Sequence, residues 1–215
     1  MSDQEAIETA KRDFDKEANV YDQPHTVLRA QAVAEAIRRQ VRLDRKMDVM
    51  DYGAGTGLVT LAIQPYVRSI TAVDSSRGML AVLREKTKAR GITNVRTLFC
   101  DFDEEGLSDV CFHLVISAMT LHHVRDVSSL LRRFHGLLRS DGVLAIADLD
   151  AEEGDFHPDK TGVWHHGFER EWLKRQFEEA GFRSVEASTA HTMSKEVEDG
   201  VTKDFPIFLM TGRKA

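Results

Sequence analysis

The chain has 215 residues, 42% of them hydrophobic, which is enough to bury one sizeable core and cramped for two. A formal net charge of -6 leaves no electrostatic footprint for wrapping a polyanion, which needs clustered Lys and Arg, so nucleic acid is not an expected partner. Met1 to Asp15 alternates acids and bases, and no run reaches the roughly 18 apolar residues that a membrane span requires, so neither processing nor a membrane is expected. The cysteines, Cys100 and Cys111, form no CxxC pair, which fits a reducing cytoplasmic setting.

In chain order, Leu28, Val33, Ile37 and Val41 fall at spacings compatible with one helical face and predict a cover helix over 27 to 42. MDVMDY (47 to 52) predicts a short strand that runs straight into Gly53, Gly55 and Gly57, with a helix from there to near Pro65. SITAVD (69 to 74) is β-branched and predicts a second strand; 77 to 90 is a strong helix former closed by Gly91. NVRTLFC (94 to 100) and FHLVISA (112 to 118) predict strands three and four, separated by an acidic loop. From Val127, Leu130, Leu131, Phe134, Leu137 and Leu138 make a helical stripe that ends before Asp141, and VLAIA (143 to 147) predicts strand five. Phe168 to Ala180 predicts a further amphipathic helix, and 182 to 192 with 205 to 213 a closing hairpin; Pro206 argues against a fully paired central strand unless it opens that strand.

Short apolar strands separated by helices predict an α/β fold: a doubly wound, seven-stranded Rossmann-like sheet, mostly parallel with a C-terminal antiparallel hairpin, and helices on both faces. One domain is expected over 1–215, with 1–42 as lid and cover helices, 43–150 as a nucleotide-type binding core and 151–215 as insert, last helix and hairpin.

The strongest chemical signal is Asp51-Tyr52-Gly53-Ala54-Gly55-Thr56-Gly57 between a strand and a helix. Glycines there allow a tight turn and let a ligand approach backbone where a Cβ would intrude. Open parallel sheets bind ligands beyond strand carboxyl ends, where strand order reverses. A nicotinamide-binding turn reads GxGxxG, whereas the third glycine here comes one residue early.

DYGAGTG resembles the first motif of the class I S-adenosylmethionine-dependent methyltransferases, and similarity continues in order through most of the chain. That resemblance implies S-adenosylmethionine as donor and S-adenosylhomocysteine as product. Its ribose would be held by Asp74, followed by Ser75, and its adenine would lie between Met79 and the pair Asp101 and Phe102. Ala118 and Met119, in SAMTLHHV, would face the methionine part. FDKEANVYD (14 to 22) resembles the lead-in of the small-molecule branch, which makes Tyr21 part of a lid. The resemblance therefore implies cofactor contacts at Tyr21, Asp51, Gly53, Ala54, Gly55, Gly57, Asp74, Ser75, Met79, Asp101, Phe102, Ala118 and Met119.

The implied activity is methyl transfer to a small molecule by in-line displacement at the sulfonium. SAMT in place of an NPPY-like segment, together with the acidic charge balance, argues against nucleobase amines. The competing readings are a non-catalytic donor-binding module and a nicotinamide-dependent oxidoreductase. His122 and His123 are the catalytic candidates; Tyr21, His157, Trp164, His165 and His166 join them as candidates for the acceptor pocket. Asp148, Asp150, Glu152, Glu153, Asp155 and the nearby histidines have no recognised ligand spacing, and no metal is expected.

Overall fold

A computed structural model describes residues 12–100, 111–197 and 200–215, so the expected adenine contacts Asp101 and Phe102 lie outside the described residues. A short helix α1 (Phe14–Glu17) and a 3-10 turn (Ala18–Val20) precede the long helix α2 (Pro24–Gln40). Then follow β1 (Asp48–Tyr52), α3 (Leu58–Ile63), β2 (Ser69–Asp74), α4 (Arg77–Ala89), β3 (Val95–Phe99) and β4 (Phe112–Ala118). A 3-10 turn (Leu121–His123) leads into α5 (Val127–Leu137), β5 (Leu138–Leu149), α6 (Arg170–Glu179), β6 (Phe182–Glu196) and β7 (Thr202–Lys214).

The seven strands form one sheet in the order β3-β2-β1-β4-β5-β7-β6. β1 to β5 pair in parallel, and β7 pairs antiparallel with both β5 and β6. Side chains alternate across a strand, so each central strand feeds two cores. Val49, Ala145 and Leu209 pack on one face with Ile37 and Ile63; Met50, Ile146 and Met210 pack on the other with Phe134 and Phe177. Strand order reverses between β1 and β4, and both strands deliver their carboxyl ends to the same edge.

Three expectations need correction. Leu28 is 60% exposed, because it lies five positions before Val33, about 140° around a helix; α2 instead buries Thr26, Ala30, Val33, Ala34, Ala36 and Ile37. β5 starts five residues early, at Leu138, through an irregular stretch where Asp141 has φ 62° and the register to β4 shifts. β7 is a central strand despite Pro206, its fifth residue. Pro206 lies just before Ile207, the residue paired with Leu149 at the end of β5, and its carbonyl accepts from Asp150 N at 3.0 Å, so its missing N–H falls past the β5 ladder. Among the described residues, no helix is long and apolar enough to cross a membrane.

Candidate active site

The turn after β1 is shaped by close approach. Gly53 N and Ala54 N both donate to Val73 O, at 2.9 and 3.0 Å, folding the turn against the end of β2. A Cβ on Gly57 (φ 83°) would come within 2.2 Å of Leu83, so this glycine serves the packing of α4 on the turn rather than a ligand. Gly55 (φ 55°) differs: a Cβ there would meet nothing within 4 Å. It faces a cleft whose lining includes Tyr21, Asp51, Gly53, Ala54, Ala118 and Met119. Seven of the expected cofactor residues are thus brought to one cleft, and its glycine-floored side is the kind of surface a flat adenosyl group requires.

Asp74 stands behind this floor. Its Oδ2 accepts from Gly55 N at 2.7 Å and its Oδ1 from Ser76 N at 2.8 Å. Burial pushes its carboxyl above the usual range, against those amide donors. Asp51 is buried inside β1; burial first, and the neighbouring Asp74 charge after it, push it up to about 7, although Thr60 Oγ1 donates to it at 2.5 Å. Ser75 is exposed, and Met79 is 2% exposed in the first turn of α4, where its amide is capped by Ser76 Oγ at 3.0 Å. Neither belongs to the cleft lining.

The segment before α2 is tied over this edge by two acids of the FDKEANVYD lead-in. Asp15 accepts from Ser76 Oγ at 2.5 Å and Gly78 N at 2.8 Å. Asp22 accepts from Thr56 Oγ1 at 2.5 Å and pairs with Lys86 Nζ at 2.5 Å, and Lys86 also donates to Thr56 O at 2.8 Å. The glycine turn, α4 and the lead-in segment are thereby joined, with Tyr21 held at the cleft.

Beyond Met119 the chain turns sharply, with φ 55° at that residue, into Leu121–His123. His122 is 1% exposed; its Nδ1 lies 2.6 Å from Oδ1 of Asp148, itself wholly buried at the end of β5. Burial works to raise the Asp148 carboxyl, but His122 outweighs it and holds the acid below its usual value. His123 Nδ1 lies 2.7 Å from Gly162 O, and Phe14 sits edge-on to its ring at 5.2 Å. His157 arrives from the insert and places Nε2 3.1 Å from His122 Nε2. Burial, followed by the neighbouring His122, pushes His123 down to about 4 and His157 down to about 3, so both rings are neutral near pH 7.

The other acceptor candidates do not join this cluster. His165 sends Nε2 to Val124 O at 3.0 Å, Trp164 is 42% exposed under Arg125, and His166 lies beside Glu152 at 3.8 Å. Asp148 had one visible signal, a carboxylate inside the apolar run VLAIADL. Arg12, 3.4 Å from His157 Nδ1, had none.

Residues 50–146 match the family model described as a methyltransferase domain. An uncharacterised methyltransferase of Schizosaccharomyces pombe is 31% identical over 155 residues, 65% of this chain and 55% of that protein. The chain spans about half the length of the curated relatives it matches. The crystal structure of YcgJ from Bacillus subtilis has a TM-score of 0.70 at 18% identity, covering 85% of this chain and 97% of that one. Haemonchus contortus phosphoethanolamine N-methyltransferase 2, solved with S-adenosyl-L-methionine, has a TM-score of 0.69 at 15% identity, covering 95% and 60%. At these identities the structural likenesses concern the fold.

Proposed function

We propose that this chain is a class I S-adenosylmethionine-dependent methyltransferase, on the match of residues 50–146 to a methyltransferase domain and the 31% identity to a methyltransferase over 65% of the chain, and that it moves a methyl group from the sulfonium of S-adenosylmethionine to a small-molecule acceptor. The observation that carries this reading is the open space in front of Gly55, with Asp74 behind the turn and Tyr21 at the cleft. In the proposed division of labour, 43–150 holds the donor, 1–42 closes over it and 151–215 supplies the acceptor side.

The donor brings an already activated methyl group, so the chain's own work is to bind, align and exclude water; oriented reactants gain effective molarities on the order of 10⁵ to 10⁸ M. Gly53, Ala54 and Gly55 would admit the donor against bare backbone. Asp74 would take the ribose hydroxyls on lone pairs left over from Gly55 and Ser76. Asp51 would face the cationic methionine end, with Ala118 and Met119 beneath it.

His122 and His123 are the proposed groups acting on the acceptor heteroatom. They follow Met119, a cleft residue, by three and four positions, and Asp148 fixes the ring of His122. A cleft bounded by the glycine turn and the lead-in segment suits a compact metabolite better than a polymer, and the acidic charge balance points the same way. The cysteine usage of the sequence, Cys100 and Cys111 without a CxxC pair, is the basis for proposing the reducing cytoplasm as the enzyme's setting.

Isothermal titration with S-adenosylhomocysteine and with NAD tests the donor half. Binding of the first and not the second is expected; the reverse would overturn the reading. An acceptor screen of phenols, thiols and amines with labelled donor then tests the small-molecule half, with transfer only to protein or nucleic acid as the contrary result.

A further inference from the structure

We propose that His122, His123 and His157 form a binding site for one divalent transition metal ion, zinc by preference. Each of these histidines offers one ring nitrogen, and the three nitrogens all lie within 4.8 Å of one another. Zinc bound to imidazoles at about 2.0–2.1 Å in tetrahedral geometry needs nitrogens roughly 3.4 Å apart. The His122 and His157 Nε2 atoms are already at 3.1 Å, and the third nitrogen, from His123, lies within 4.8 Å of both, so closing the site means drawing His123 inward.

The outer contacts are those a zinc ligand needs. A ligating imidazole usually donates its second N–H to a carboxylate or a backbone carbonyl, which fixes the tautomer and aims the other nitrogen at the metal. His122 Nδ1 has Asp148 at 2.6 Å, and His123 Nδ1 has Gly162 O at 2.7 Å. With Nδ1 donating, the neutral form of each ring carries its lone pair on Nε2, as metal binding demands. Two Nε2 atoms facing each other at 3.1 Å need either one shared proton or a cation between them. His123 and His157 are half-buried, which leaves a route in, while His122 closes the back of the site.

Three imidazoles leave one coordination position open, the arrangement of three-histidine zinc sites that keep a free fourth position. An acceptor heteroatom would occupy that position. This last step rests on the proposed function, since it assumes that His122 and His123 work on the acceptor; the metal site itself does not. Arg12 is the opposing group: Nη1 stands 3.4 Å from His157 Nδ1, although Nε and Nη2 are committed to Glu17 at 2.7 and 3.0 Å. With Nδ1 of His157 protonated for metal binding, Arg12 has to withdraw, so removing it should strengthen the site.

The test is a zinc titration of the chelator-stripped full chain against a chromophoric competitor, with the cobalt(II) visible spectrum as second readout and S-adenosylhomocysteine affinity measured in parallel. One zinc per chain and a four-coordinate cobalt band are expected. His157→Ala should lower zinc affinity more than about tenfold, the lower end of what even an outer-shell partner contributes. Arg12→Ala should raise it, and neither substitution should abolish S-adenosylhomocysteine binding. Zinc binding that is absent, or equal in wild type and His157→Ala, overturns the metal site; if S-adenosylhomocysteine still binds, the methyltransferase reading survives that failure. Zinc bound by a chain that fails to bind S-adenosylhomocysteine would support the metal site and remove the donor reading instead.

Discussion

The amide of Gly55 donates to Oδ2 of Asp74 across 2.7 Å, so the turn that follows β1 and the acid that ends β2 are set by each other. Asp74→Ala therefore removes the proposed ribose acceptor and loosens the turn that floors the cleft. Donor affinity should fall by about 1–3 kcal/mol, as expected for hydrogen bonds to a charged group. Titration with S-adenosylhomocysteine reads this directly, and an unchanged dissociation constant would remove Asp74 from the site.

Two glycine substitutions should separate packing from binding. Gly57→Ala drives a Cβ into Leu83 at 2.2 Å, and overpacking of this kind costs about 1–3 kcal/mol of stability. Gly55→Val meets no protein atom within 4 Å at its Cβ, and the left-handed backbone there costs about 1–2 kcal/mol of stability. Its donor affinity should nevertheless collapse, because the side chain projects into the space reserved for the ligand. Paired denaturant melts and titrations check both; wild-type affinity in folded Gly55→Val would contradict the placement.

Asp51 predicts a pH slope. Its pKa rises on folding to about 7, mainly through burial, from about 4 in an unfolded chain. The folded state then holds a proton that the unfolded state has released, so this residue's contribution to stability is complete below about pH 4 and is lost as pH rises to 7. Asp51→Asn keeps an oxygen for Thr60 Oγ1 and cannot ionise. The stability of wild type relative to this variant should fall between pH 5 and pH 8, as measured by denaturant midpoints; a constant difference would show that Asp51 does not titrate in this window.

The local parts of the site were legible in the sequence, and the parts made by distant segments were not. Gly53 to Gly57 stand at a strand end that the strand and glycine pattern marks, whereas Asp74, Ala118 and Met119 were implied by the resemblance to the class I methyltransferases. His157 meets His122 across 35 positions and through an irregular insert, so no spacing rule reaches it. Met79 matched by position, and it lies on the buried face of α4 with Leu80, Leu83 and Thr87. Lys86 resembled any solvent-facing helix cation, but the fold places it against Asp22 and Thr56. Leu28 and Pro206 misled for opposite reasons: the first through a helical face too loosely drawn, the second because a proline is tolerated where the neighbouring ladder ends.

The Lys86 junction gives a further outcome. Lys86→Met removes the cation shared by Asp22 and the Thr56 carbonyl, leaving Asp22 its bond from Thr56 Oγ1 among the described residues. Amide exchange over residues 12 to 22 should accelerate while the sheet stays protected, and donor affinity should weaken because Tyr21 is no longer held at the cleft. Exchange identical to wild type would show that the segment is held by other contacts.

A crystal structure of the chain with S-adenosylhomocysteine addresses the central claim most directly. The account predicts the adenosyl group lying over Gly53, Ala54 and Gly55, its ribose hydroxyls on Asp74, and its sulfur near Ala118 and Met119. A ligand bound elsewhere, or a cleft closed by side chains in front of Gly55, would contradict it.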